Sequence, residues 1–342
     1  MKKNPLKYIL GILVTSLALW LSFKNLDWKT LKGSFSQVNL LWIIPAVFTI
    51  LLSVYIVGLR WQLLVKSKTH MKMWDIFRYN IISQYANIII PARIGELFKA
   101  WFAAKKYPVS GSYLLGTIFI EKITETFVFI ILLVLAPLMV TFQTQLKGHR
   151  LFLIFSVLLI PLTIFLVWKR AAVLRWLTYI SKILPGKLRT RVLGFIEKGM
   201  EAFSLLKNIK ILFWVVFLTL LTLFTQVVTN LILFKAYGFQ LSFFKALLLQ
   251  VILTIGMTLP SVPGKIGIFE YTVLLVLTMF NIEKSAALSY GLMLHVISYL
   301  PKIILGFIFI ANLHISLKTV PGTVAATDSK TDEREVLSTN KK

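Results

Sequence analysis

The sequence predicts an all-α polytopic membrane protein, with about six full transmembrane helices and two re-entrant helical hairpins arranged as an inverted repeat. Three observations carry that prediction. Hydrophobic residues make up 57% of the 342 positions and charged residues only 15%, with a mean hydropathy of +0.80, whereas a soluble domain carries about 25% charged residues. Apolar runs near spanning length recur at 40–57, 127–142, 151–168 and 211–234, and a helix needs about 20 residues to cross the hydrocarbon layer. Lysine and arginine collect in the gaps between these runs. No stretch alternates apolar and polar residues as a barrel strand would.

The first element follows Lys2 and Lys3 as an apolar run over 8–23. No small-x-small cleavage pattern follows it, so it reads as an uncleaved first helix. Cysteine is absent, which excludes disulfides and thiolate metal sites. No cofactor or metal is expected.

The net charge of +25 suits a membrane better than a nucleic acid. Its basic residues sit in loops, as the positive-inside rule requires, and those loops lack aromatic stacking platforms for single strands. The richest gap, 169–210, holds ten basic residues and is taken as cytoplasmic. Counting outward, the inner side receives three at the start, five over 60–78, three over 99–106 and five in the tail, against eight outside. Both termini then face the cytoplasm of a cell membrane. Residues 1–317 form the integral-membrane domain, with 169–210 as an amphipathic segment on the inner surface. The polar stretch 318–342 reads as a disordered tail.

Two segments do not read as simple spans. One runs through Pro91, Arg93, Gly95 and Glu96, the other through Pro260, Pro263, Gly264, Lys265, Gly267 and Glu270. Both contain Pro-x-(Arg/Lys)-Ile-Gly with a carboxylate just after. Proline breaks a helix and glycine permits a sharp turn, so each is drawn as a half-helix in, a break, and a half-helix out. The charge count makes the first hairpin enter from the cytoplasm and the second from outside. Paired interrupted segments in two halves point to a transporter's binding site. Each outgoing half-helix is expected to start just after Pro91 or Pro263 and to aim its N–H groups at the centre. With Arg93 and Lys265 at the same level, that would suit an anion. Glu96 and Glu270 would balance charge or carry a proton. The plainer alternative is two internal ion pairs, Arg93–Glu96 and Lys265–Glu270.

Glu121, Lys122 and Glu125 sit between the hairpins, and Glu121 and Glu125 share a helix face. Two carboxylates together would push one pKa up, suiting proton exchange or a salt bridge to Arg93 or Lys265. The alternative is a cap at the inner interface. His295, Tyr299 and Lys302 share a face of the last helix, with His295 as either a packing donor or a pathway group. Trp42, Trp61, Trp74, Trp101 and Trp214 are expected to be interfacial anchors.

These landmarks, Pro91-x-Arg93-x-Gly95-Glu96, Glu121-Lys122-x-x-Glu125 and Pro260-x-x-Pro263-Gly264-x-Ile266-Gly267-x-x-Glu270, resemble the lysylphosphatidylglycerol synthase transmembrane region, or flippase-like domain family. The resemblance covers about 6–317. It implies lipid translocation. Bifunctional members add a cytoplasmic aminoacyl-transferase domain, for which this chain has no room, so the synthase reaction is not expected. The family usually has Gly where Lys265 stands, Arg at Lys122, Asp at Glu125, and often Arg near His295.

The function expected is therefore a lipid translocase, flippase or scramblase, holding a headgroup phosphate between the hairpin tips. Its partners would be membrane lipids with anionic headgroups, with self-association left open. The alternatives are an ion- or proton-coupled transporter of a small anion and a membrane-embedded lipid-modifying enzyme. With four His and four Asp in the chain and no Ser/His/Asp grouping, it is not expected to be an enzyme.

Overall fold

The computed structural model describes residues 5–24, 26–90, 94–138, 202–259 and 261–312. Pro91, Arg93, the tail 318–342 and most of the segment 169–210 lie outside the described residues. Ten α-helices are described: α1 (Pro5–Phe23), α2 (Trp28–Ser36), α3 (Ile43–Val65), α4 (Met73–Ile89), α5 (Gly95–Lys106), α6 (Gly111–Leu138), α7 (Ile209–Ala236), α8 (Phe243–Gly256), α9 (Ile268–Met279) and α10 (Lys284–Asn312). Among the described residues, Leu40–Val65, Ile209–Ala236 and Lys284–Asn312 are long and apolar enough to cross a bilayer.

Local chemistry sets several boundaries. The Asp27 side chain accepts from the N–H groups of Lys29 and Thr30 at the start of α2, and Asn208 does the same for Lys210 and Ile211 at α7. Such caps satisfy donors that have no partner inside the helix. The breaks expected near Pro91 and Pro263 are present, but the outgoing helices begin later, at Gly95 and Ile268. At the second break the delay has a backbone cause. Gly264, Lys265 and Gly267 have φ of 76°, 60° and 85°, a left-handed turn that no α-helix can include.

The two halves repeat one plan. A long helix (α3 or α7) leads into a broken hairpin (α4–α5 or α8–α9), and a second long helix (α6 or α10) closes the unit. Their packing is exchanged in the same way: α4 lies on α10 as α8 lies on α6, and α10 touches α3 as α6 touches α7. The leading helices α3 and α7 pack on one another and run antiparallel. Thr49 Oγ1 lies 2.8 Å from Thr229 Oγ1, while Arg60 Nη1 donates to Thr219 Oγ1 at 2.8 Å. Advancing along α3 thus means retreating along α7, so the two halves point in opposite directions.

Two cores form, one around each hairpin. One gathers Trp61, Ile76, Ile82, Phe98 and Phe102 around the first hairpin, the other Leu249, Val273, Val276 and Tyr290 around the second. In lipid, helices gain little from hiding apolar surface from one another, so close packing and polar links between helices take over. Thr49 and Thr229 accordingly meet on the α3–α7 seam, and the two helices also bury the small or polar residues Ala46, Ser53, Thr222 and Thr225.

The tryptophans divide. Trp74 and Trp214 are exposed as expected of anchors, but Trp61 and Trp101 are buried. The Trp61 indole donates to Thr117 Oγ1 at 3.0 Å, so it belongs to the helix interior.

Candidate functional site

The first hairpin is fixed at both ends. At its base, the Asp75 carboxylate accepts from Lys106 Nζ and Tyr107 Oη, each at 2.6 Å, and the Lys72 N–H donates to the same Tyr107 hydroxyl at 3.0 Å. The start of α4 and the end of α5 are thereby clasped together. At the tip, the Gly95 N–H donates to Asn87 Oδ1 at 2.8 Å, and Asn87 Nδ2 donates to Glu96. A Cβ on Gly95 would lie 2.0 Å from the carbonyl oxygen of Ser83, so only glycine allows α5 to fold back so closely on α4. Pro91 and Arg93 lie outside the described residues, and Glu96 meets Asn87 at this tip.

The second hairpin closes in a different way. Lys245 at the start of α8 lies 5.3 Å over the Phe280 ring at the end of α9, which brings its two outer ends together. At the break, Pro263–Lys265 forms a short 3-10 turn against which α4 packs, so the second tip meets the first hairpin. Lys265 Nζ donates to the Leu259 carbonyl at 2.7 Å. The Gly267 N–H at the head of α9 donates to Glu270 Oε2 at 2.7 Å. Glu270 Oε1 lies 2.5 Å from His295 Nδ1, and His295 Nε2 lies 2.9 Å from the Gly264 carbonyl. The amides expected to greet an anion at Gly95 and Gly267 are thus engaged by the chain's own side chains, Asn87 and Glu270.

Glu121 has partners other than those expected. One carboxylate oxygen takes Arg60 through Nε and Nη2, both at 3.0 Å, and the other takes Lys99 Nζ at 3.1 Å. Arg60, Lys99 and Glu121 are all buried. Arg60 Nη2 also reaches Glu125 at 3.9 Å, and Glu125 pairs with Lys122 at 3.0 Å. Repulsion between the two carboxylates is thus offset by a guanidinium placed against both. Reading Arg60 and Lys99 as loop charges is corrected here: they sit inside α3 and α5 and join these helices to α6. Arg60 falls within an apolar helix, ahead of Trp61, Leu63, Leu64 and Val65, and that position was the available signal.

A cavity of about 230 Å3 opens between α3, α6, α7, α8, α9 and α10, with Glu125, Gln226, Gln250, Ser298, Tyr299 and Lys302 among its lining residues. The amides are held in place: Gln250 Nε2 donates to Gln226 Oε1 at 3.0 Å, and Asn230 Nδ2 donates to Gln250 Oε1 at 3.0 Å. Polar groups in this number are costly among apolar helices unless they face one another or a wet, functional space. Lys302, placed by the sequence at membrane depth and on one face with His295 and Tyr299, is a cation lining this cavity.

Two oppositely directed helical units around an internal polar cavity define a polytopic helical membrane protein. The model of the lysylphosphatidylglycerol synthase TM region matches residues 8–306, and the chain belongs to that family. Among curated proteins it is similar to the UPF0104 membrane protein MJ1595 of Methanocaldococcus jannaschii, 24% identical over 78% of this chain and 82% of that protein. A second protein of that organism, UPF0104 membrane protein MJ1078, is 25% identical over 66% of this chain and 92% of its own length. UPF0104 membrane protein PH1989 of Pyrococcus horikoshii is 23% identical over 91% of this chain and 97% of its own.

Proposed function

We propose that this protein is a lipid translocase of the cytoplasmic membrane, with both termini inside, which passes an anionic headgroup through its polar interior while the acyl chains stay in the bilayer. The observation that carries the reading is the cavity. It holds a cation, Lys302, a carboxylate, Glu125, and an ordered pair of amides, Gln226 and Gln250, among helices otherwise apolar. Its volume of about 230 Å3 suits part of a headgroup and excludes a whole lipid. Two oppositely directed halves supply a reason for access from either side, since rocking one half against the other would expose a central site alternately. The family match, by its name, supports a lipid connection. The basic inner loops support attraction to anionic headgroups, at about 1 kcal/mol per residue near a surface. Lys265 at the second tip, and Arg93 by its place in the sequence, remain candidates for guiding the headgroup towards Lys302. The chain is read as a carrier, with no catalytic residue.

The test is reconstitution into liposomes carrying a fluorescent phospholipid, with the loss of inner-leaflet protection as the readout. Wild-type protein should equilibrate the lipid between leaflets. Lys302→Ala should slow it by about ten- to a hundredfold, the loss expected when one charge-assisted hydrogen bond worth about 1.5–3 kcal/mol is removed. Radiolabelled phosphate uptake in the same vesicles separates a lipid carrier from a transporter of small anions. Uptake without lipid movement would replace the first reading by the second.

A further inference from the structure

His295 is held between two acceptors, and that arrangement fixes a proton. Its Nε2 faces the Gly264 carbonyl at 2.9 Å. A carbonyl only accepts, so Nε2 carries hydrogen. Its Nδ1 then stands 2.5 Å from Glu270 Oε1, an approach that two bare lone pairs would not make. One proton lies between these atoms, on the carboxyl or on the ring. Either way the pair is neutral as a unit, which suits a site where both residues are buried. Glu270 Oε2 is already taken by the Gly267 N–H at 2.7 Å, so the carboxyl cannot turn away without uncapping α9.

We infer that Glu270 and His295 form a proton-binding site whose occupancy decides whether α10 holds the tip of the second hairpin. When the proton leaves, the pair becomes a carboxylate beside a neutral imidazole with one N–H. If that hydrogen stays on Nε2, the Nδ1 lone pair faces the carboxylate and is repelled. If it moves to Nδ1, the Nε2 lone pair faces the Gly264 carbonyl and that link is lost. One of the two bonds fails in each case. The turn is poised to respond, because Gly264, Lys265 and Gly267 hold three left-handed φ values within four residues.

The surroundings isolate the pair. Phe269 stacks on the imidazole and Tyr299 meets it edge-on, both at 4.4 Å. Ionisable groups nearby are Lys265 on the turn, bonded to the Leu259 carbonyl, Tyr299 itself, Lys302 two helical turns or about 10 Å further along α10, and Glu125 of α6 across the cavity. From α1, the Thr15 hydroxyl accepts from the Val262 N–H at 3.2 Å and Leu19 lies beside Gly267. From α8, Leu253 and Thr254 line the cavity, and α4 sets Tyr85 against Gly306, three turns further along α10. The cavity and the proton site share Phe269 and Tyr299. On the translocase reading, this makes protons a driving partner: the second tip is held when the pair is loaded and released when it is empty.

The absence of native cysteine allows a direct test that needs no lipid substrate. Ser261→Cys places a thiol in the tip, and Gln240→Cys in an exposed loop corrects for the thiol's own titration. In reconstituted protein, labelling at position 261 relative to 240 should rise several-fold as the pH is raised and the shared proton leaves. Glu270→Gln offers a donor to Nδ1 and an acceptor to Gly267, so it mimics the loaded pair, and its labelling should be slow and flat. His295→Gln, which lacks a titrating ring, should also give a flat profile. A flat wild-type ratio, or an unchanged pH profile in either variant, overturns the proton site. In the second arm, an imposed pH gradient should drive lipid in the wild type and leave Glu270→Gln with passive exchange alone. If labelling follows pH while no lipid moves under any condition, the proton site stands and the translocase reading falls.

Discussion

Thr49 and Thr229 face one another across the α3–α7 seam with their hydroxyl oxygens 2.8 Å apart. Together with the Arg60–Thr219 bond on the same seam, that contact makes the leading helices of the two halves antiparallel. A hairpin that follows α3 and a hairpin that follows α7 are therefore inserted from opposite ends of the molecule. The arrangement yields the following expectations.

Thr49→Cys with Thr229→Cys should form an intramolecular disulfide under mild oxidation, since the chain has no competing thiol. Thr49→Cys with Thr219→Cys should not. In intact cells, a thiol replacing exposed Gln240 should react with an impermeant reagent, while one replacing exposed Lys66 should react only after the membrane is opened. Equal reactivity of both from outside would contradict the opposed entry of the two hairpins.

Removing Arg60 takes the guanidinium from a buried carboxylate and leaves Glu121 with Lys99 alone. Arg60→Ala should lower unfolding stability in detergent by about 3–5 kcal/mol, the usual cost of breaking a buried pair from one side. Arg60→Lys should recover part of this, because it keeps the charge but loses the fork that reaches Glu121 and Thr219 together. Thermal unfolding of the purified variants decides the matter, and a wild-type midpoint for Arg60→Ala would contradict a structural role.

The clasp at the base of the first hairpin carries a pH dependence. Asp75 sits at the start of α4, beside the Lys66–Lys72 loop and outside the spanning helices. Burial opposes its ionisation, but the hydrogen bonds from Lys106 and Tyr107, with the positive charges of Lys106 and Arg78, outweigh that and hold its carboxyl below the usual range. A depressed value stabilises the fold above the carboxyl's ordinary titration, about pH 3.9, and the gain disappears as pH falls through the lowered value. Hydrogen-exchange protection at Lys72–Ile76, corrected for the intrinsic pH dependence of exchange, should thus be constant from neutral pH down to about pH 5 and fall only in stronger acid. Asp75→Asn should show the open behaviour throughout.

Lys265 occupies a left-handed backbone position with φ of 60°, which costs a residue with a Cβ about 1–2 kcal/mol. Lys265→Gly should relieve that strain while removing the amine. Lys265→Ala keeps the strain and loses the amine as well. If the amine guides an anionic headgroup, both variants should slow lipid exchange, with the Gly variant the more heat-stable. Normal exchange in both would assign Lys265 to the turn alone, through its bond to the Leu259 carbonyl.

Much of this architecture was legible in the sequence because its causes are local. Spanning helices announce themselves by uninterrupted apolar length, and the breaks near Pro91 and Pro263 by residues that cannot continue a helix. The repetition of Pro-x-(Arg/Lys)-Ile-Gly in the two halves was enough to suggest paired hairpins. Three-dimensional packing alone decided which charges meet. Glu121 takes Arg60 from 61 residues away and Lys99 from 22, and Glu270 takes His295 from 25. Charge counting had assigned Arg60 and Lys99 to loops, because a basic residue near the end of an apolar run looks the same whether it snorkels outward or turns inward to a carboxylate. The tip amides were likewise expected to be open, since no rule of spacing reveals that Asn87 and Glu270 fold back onto Gly95 and Gly267. Local sequence determined where the chain is helical and where it breaks, through hydropathy and backbone freedom. Tertiary structure determined which buried polar groups satisfy one another, because in a membrane interior each must find a partner and only the packed helices bring that partner within reach.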